Sequence, residues 1–182
     1  MSWFVEKARS LRLLSYQSIS KREKKFRALD LGQTIRTAKR VCFCLPAIQE
    51  NLDGAGRMLE QFSRSFPNCE AVLITFYDGG IRQWFGSQQV IVVKPEDLNW
   101  YGHPKASLLK RAGGRPFDLA LDLNIAYDFT SLATIWQTDA LLRIGFYDPI
   151  REPFYSFMFH PNPETPAERA YQQFFNLLVQ FK

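Results

Sequence analysis

Short, uniformly apolar runs separated by helix-length segments constrain this chain more than any other feature. VCFCL (residues 41–45), AVLITF (71–76) and VIVV (90–93) are too evenly hydrophobic for strands with one wet face, and FDLALDL (117–123) and LLRIGF (141–146) are mostly apolar, broken by Asp118, Asp122 and Arg143. Such runs mark strands buried on both faces, which is the signature of a parallel sheet covered by helices. Turn formers bound them: Pro46, the Asp78-Gly79-Gly80 triplet and the Gly113-Gly114-Arg115-Pro116 breaker. Between them, Met58, Leu59, Phe62 and Phe66 outline a helix that stops at Pro67, and a second helix covers roughly residues 129–138. FYSFMF (154–159) reads as a sixth, edge strand. The last helix is announced by Thr165 as N-cap, Pro166 at the first helical position and Glu168 as the capping-box acid. Its apolar stripe is Ala167, Ala170, Tyr171, Phe174, Phe175, Leu178 and Phe181. The pattern predicts an α/β, Rossmann-like three-layer domain with a mainly parallel sheet.

With 182 residues there is room for one full core and not for two ordinary domains. Hydrophobic residues at 46% exclude a disordered chain. No apolar run approaches bilayer-spanning length, and the first residues lack the continuous apolar stretch and cleavage site of a secretory signal. Cys42 and Cys44 alternate along one strand and Cys69 stands alone, which suits a reducing cytoplasm better than a disulfide framework or zinc site.

Charge divides the chain. Through Arg40 there are eleven basic residues against three acidic ones, whereas the whole protein carries only +5. The expected organisation is therefore a basic, amphipathic helical arm over residues 1–39 and a mildly acidic Rossmann-like domain over 40–182. Trp3, Phe4, Ala8, Leu11 and Leu14 recur at near-helical spacing, and residues 21–37 continue as a helical or extended basic connector. Trp3 and Phe4, with Lys21, Arg22, Lys24, Lys25 and Arg27, are the candidates for contact with an anionic surface: a membrane face, a protein or RNA.

Few catalytic signatures are present. Asp53-Gly54-Ala55-Gly56-Arg57 follows the first strand where dinucleotide folds place phosphate, but Leu59 stands where the third glycine belongs. A loop that turns into the helix explains those glycines equally well. His103 and His160, each followed by proline, have no metal-ligand or catalytic spacing around them. No G-x-S-x-G, H-E-x-x-H or paired C-x-x-C occurs. In an open parallel sheet, ligands gather beyond the carboxyl ends of the strands. Asn51, Asp53, Asp78, Asp122, Asn124, Tyr147 and Asp148 fall there and form the candidate ligand crevice, with helix and turn capping as the competing role. The loop DLNWYGHP (97–104) is either packed over the sheet edge or an exposed aromatic platform.

Two resemblances follow from these motifs. KRVCFCLP through FSRSFPNCEAVLI, with FDLALDL and LLRIGF, resembles the N-terminal domain of lipopolysaccharide heptosyltransferase-type glycosyltransferases. In that family a Gly-Asp pair after the first strand serves catalysis, whereas the matching stretch here is Glu50-Asn51-Leu52-Asp53. KREKKFRALDL, DLNWYGHP, FDLALDLN and RIGFYDP resemble a family of uncharacterised proteins of Bacteroidetes and relatives.

The expectation is a non-catalytic binding or scaffold protein in the cytoplasm, peripheral to the inner membrane, attached through its arm and needing no cofactor or metal. The alternative is a degenerate glycosyltransferase N-terminal half that keeps a crevice for a small-molecule ligand.

Overall fold

The computed structural model describes residues 6–8, 10–14, 30–77 and 88–181. Six strands form one sheet: β1 (Arg40–Cys44), β2 (Glu70–Thr75), β3 (Gln89–Val92), β4 (Leu119–Asp122), β5 (Leu142–Phe146) and β6 (Phe157–Phe159). Their order is β3-β2-β1-β4-β5-β6, and all five pairings are parallel. The direction of strand order reverses between β1 and β4. The expected Rossmann-like α/β architecture is therefore present, with a sheet that is parallel throughout.

Besides the helical residues 6–8 and 10–14, the α-helices are α1 (Leu31–Thr37), α2 (Leu52–Ser65), α3 (Ala106–Arg111), α4 (Phe129–Gln137) and α5 (Ala167–Gln180). Side chains alternate across a strand, and here that alternation deals β1 out to two cores. Val41, Phe43 and Leu45 face α1, α2 and α5, whereas Cys42 and Cys44 face α3 and α4. The first core is built on rings: Phe146 lies 5.0 Å from Phe174 and 5.6 Å edge-on to Tyr171, and Phe43 meets Phe62 at 5.0 Å. Truncating a ring such as fully buried Phe174 to alanine costs about 3–5 kcal/mol.

Two local readings change, and one of the two forms open to the connector is decided. The last helix begins at Ala167 with Pro166 as its N-cap and no side-chain cap, so Thr165 does not take that role. Its amide instead donates to Asn162 O at 2.8 Å, inside the preceding turn. Gly54 and Gly56 lie within α2 rather than in a loop, because α2 starts at Leu52. The connector includes a real helix: Asp30 caps α1 through a 2.9 Å bond from Gln33 N, and Ile35, 1% exposed, enters the core.

Arg40, counted with the basic residues of the arm, is consumed by the domain. Its Nε donates to Glu70 at 3.0 Å, its Nη atoms donate to the carbonyls of Ala112 and Arg115, and its guanidinium lies 4.1 Å above the Phe117 ring.

Candidate functional site

The switch point between β1 and β4 is where an open parallel sheet presents ligand-binding groups. Asp122 ends β4 there, in register with Cys44 of β1, on the sheet face covered by α4. It is fully buried. Its Oδ1 accepts from Asn124 N (3.0 Å), Asn124 Nδ2 (2.8 Å) and Ser131 Oγ (2.7 Å), and its Oδ2 accepts from Tyr155 Oη at 2.6 Å. Four donors satisfy the carboxylate without water, which is what a buried anion requires.

Each donor is held by a different element. Ser131 sits in the first turn of α4, where Asp128 caps the helix by accepting from Ser131 N at 2.6 Å. Tyr155 comes from the segment joining β5 to β6, and it packs over Gly145 so tightly that a Cβ there would stand 2.8 Å from the Tyr155 ring. Burial first, then the Asp122 charge, pushes the Tyr155 hydroxyl well above its ordinary pKa. Burial likewise raises the Cys44 thiol, with Cys42 and Asp122 adding to the effect.

Asn124 carries the network across the switch point. Its Oδ1 accepts from Ala47 N at 2.8 Å and its Nδ2 reaches Leu45 O at 3.2 Å, tying the end of β4 to the loop after β1. Behind it, fully buried Arg151 donates to Asn124 O at 2.7 Å, to Phe146 O at 3.2 Å and to Ala126 O. Tyr171 of α5 donates to Leu123 O at 2.7 Å.

Of the sequence-predicted crevice residues, the structure brings Asp122 and Asn124 into contact. Asn51, half-buried, lines a crevice of about 100 Å³ with Ala47, Asn124 and Asp128. Asp53 is exposed in the first turn of α2. Tyr147 is exposed, its ring 4.7 Å from His160. Asp148 makes a turn, its Oδ1 accepting from Ile150 N at 2.8 Å. Asp78 lies outside the described residues, as do Trp3, Phe4, Lys21, Arg22, Lys24, Lys25 and Arg27. Ser131, Tyr155 and Arg151 were not singled out from sequence. The Asp128-x-x-Ser131 spacing was the one available signal, and it announces a helix cap rather than a partner for Asp122.

Gly54 is explained by packing. A Cβ there would stand 2.8 Å from Tyr171 Cδ2, so the residue lets α5 approach α2 closely. The DLNWYGHP loop is closed by the Leu98–Pro104 bridge, and Asn99 Oδ1 accepts from His103 N at 2.9 Å. Trp100 is not packed: it is 69% exposed. Partial burial lowers the pKa of His103, whose ring nitrogens lie 3.2 and 3.4 Å from Gln137 Nε2. Among the described residues there is no cluster of three metal-ligating side chains, and no helix is long and apolar enough to cross a membrane.

Two solved structures share this fold. The heptosyltransferase WaaC of E. coli, solved with ADP, superposes with a TM-score of 0.61 at 13% identity, covering 79% of this chain and 48% of that one. The glycosyl transferase family 9 protein of Veillonella parvula superposes at 0.58, also at 13% identity, covering 79% of this chain and 42% of that one. The chain thus spans less than half the length of either neighbour. No family model and no curated protein matches it. At this identity the likeness is one of fold.

Proposed function

We propose that this chain is a non-catalytic binding module of glycosyltransferase-like fold, held to the anionic face of a membrane by its basic arm. One observation carries the first half of that reading. Asp122, the carboxylate placed where a parallel sheet presents its chemistry, spends both oxygens on Asn124, Ser131 and Tyr155 and has no exposed surface. A general base or nucleophile needs a lone pair within reach of substrate, and both oxygens of Asp122 are enclosed by protein. The crevice left beside it, about 100 Å³, is well below the roughly 300–1,000 Å³ of small-molecule pockets. The attachment half rests on sequence: eleven basic residues against three acidic through Arg40, interleaved with Trp3, Phe4, Leu11 and Leu14. RNA or an acidic protein would satisfy the same charges, so RNA is the comparison in the test.

A second reading, a degenerate glycosyltransferase half with a residual ligand, is favoured by where that crevice lies. Asn51, Asn124 and Asp128 border it at the switch point, beside the fold likeness to two glycosyltransferases. The readings separate by titrating purified protein with ADP- and UDP-linked sugars, following both heat and turnover, and by sedimentation with phosphatidylglycerol vesicles and with RNA. Turnover of any donor overturns the first reading. Sedimentation with RNA and not with vesicles replaces the membrane by nucleic acid.

A further inference from the structure

The groove at the amino end of the sheet, opposite the strand-end crevice, has a different character. Leu109 of α3 and the Pro116-Phe117 segment ahead of β4 give it an apolar floor, and Thr138 and Asp139 after α4 form the far wall. Its volume is about 680 Å³, within the range of ligand pockets. Lys110, Arg115 and Asp139 stand on its rim, with Arg115 ion-paired to Glu70 at 2.9 Å.

Two facts make the positive charge available. Helices α3 and α4 both end here, and their carbonyl ends would repel an anion. Arg40 donates to Ala112 O at the end of α3 and to Arg115 O in the loop beyond it, while Thr138 Oγ1 donates to Ile135 O at 2.6 Å. Lys110 is exposed and, among the described residues, engages no carboxylate. Arg115 shares Glu70 with Arg40, which leaves the trio with a net positive charge.

We propose that this groove binds a single-headed anionic amphiphile, its apolar body on Leu109, Pro116 and Phe117 and its head group between Lys110 and Arg115. A free inorganic anion would leave the apolar floor wet, and a cationic chain would meet a net positive rim, Lys110, Arg115 and Arg40 against Asp139 and Glu70. A carboxylate or phosphate head on a hydrocarbon body matches both parts. None of the described residues that line the groove belongs to residues 1–39 or lines the switch-point crevice.

The test is a nuclear magnetic resonance titration of the full chain with laurate, dodecyltrimethylammonium and inorganic phosphate, each below its micellar concentration. Laurate is expected to shift the Gly113 and Gly114 amides and the Gln137 side chain, with at least tenfold tighter apparent affinity than the cationic chain, and phosphate to shift none of them. Lys110→Glu should weaken laurate at least tenfold and Ala106→Trp should block it; both positions are exposed, and a thermal melt of each variant confirms folding. Replacing the five arm cations by glutamine should leave these shifts unchanged. Equal binding of the two chain ends, indifference to Lys110→Glu, or shifts confined to other regions would overturn the assignment.

Discussion

Tyr155 Oη donates to Asp122 Oδ2 across 2.6 Å, inside a core where Asp122 is fully buried and Tyr155 is 8% exposed. The bond joins the segment after β5 to the end of β4 and so closes the sheet at its switch point. Tyr155→Phe keeps the ring and strips one partner from a buried carboxylate oxygen. The expected loss is about 1.5–3 kcal/mol, the range for hydrogen bonds to charged groups. Urea denaturation of the two proteins measures it; an unchanged midpoint would mean that the carboxylate finds water or a proton instead.

The same pair sets a pH dependence. Burial and the Asp122 charge hold the Tyr155 proton well above the ordinary tyrosine range, and burial raises Tyr171 in the same direction. In the unfolded chain both hydroxyls ionise near pH 10. The folded state therefore binds more protons than the unfolded one above that pH, and stability falls as pH rises. The contribution is complete below about pH 10 and declines above it. Urea midpoints measured from pH 8 to 11 should fall at the alkaline end, less steeply in Tyr155→Phe. A wild-type profile that stays level to pH 11 would contradict the assignment.

Cys69 is the accessible thiol among the three. Burial, with Asp118 and Glu70 nearby, pushes its pKa up to about 11. Because the thiolate is the reactive species, alkylation by iodoacetamide at pH 8 should run about a hundredfold slower than for an unperturbed thiol. Cys42 and Cys44, fully buried, should react only after unfolding. Peptide mapping of alkylated protein with and without urea reads all three, and fast labelling of native Cys69 would count against the raised value.

Gly54→Ala places a methyl group 2.8 Å from Tyr171 Cδ2 and 3.4 Å from Glu168 Cα. The ring is fixed by its bond to Leu123 O, so α2 and α5 must separate. Overpacking of this kind costs about 1–3 kcal/mol. A melting temperature equal to that of the wild type would show that the two helices adjust freely.

For the arm, changing Lys21, Arg22, Lys24, Lys25 and Arg27 to glutamine should weaken binding to anionic vesicles. Each basic residue near such a surface contributes about 1 kcal/mol, so the five together should cost roughly three to four orders of magnitude in affinity. Binding should also fall as salt rises. Co-sedimentation at two ionic strengths measures both effects, and equal binding of the two proteins would remove the arm from the account.

The sheet was written in the sequence because the signal for it is local. Val41 to Leu45 is apolar on both faces whatever its neighbours are, Leu119 to Asp122 and Leu142 to Phe146 depart from that at one residue each, Asp122 and Arg143, and the stripe from Ala170 to Leu178 needs only helical periodicity. The charge division was equally plain, being a matter of counting. The switch-point network was not. Asp122 and Asn124 were singled out by their place at a strand end, but that place fits an open crevice and a sealed one equally. What seals it is Ser131 arriving on α4, Tyr155 folding back over Gly145, and Arg151 gathering the carbonyls of Asn124, Ala126 and Phe146. Each of those side chains comes from elsewhere in the chain, and its aim depends on strand register. Register decides which face every residue occupies, and a slip of one residue reverses it. Sequence alone therefore determined the layers and the division of charge; only the assembled sheet decided that Asp122 would be enclosed.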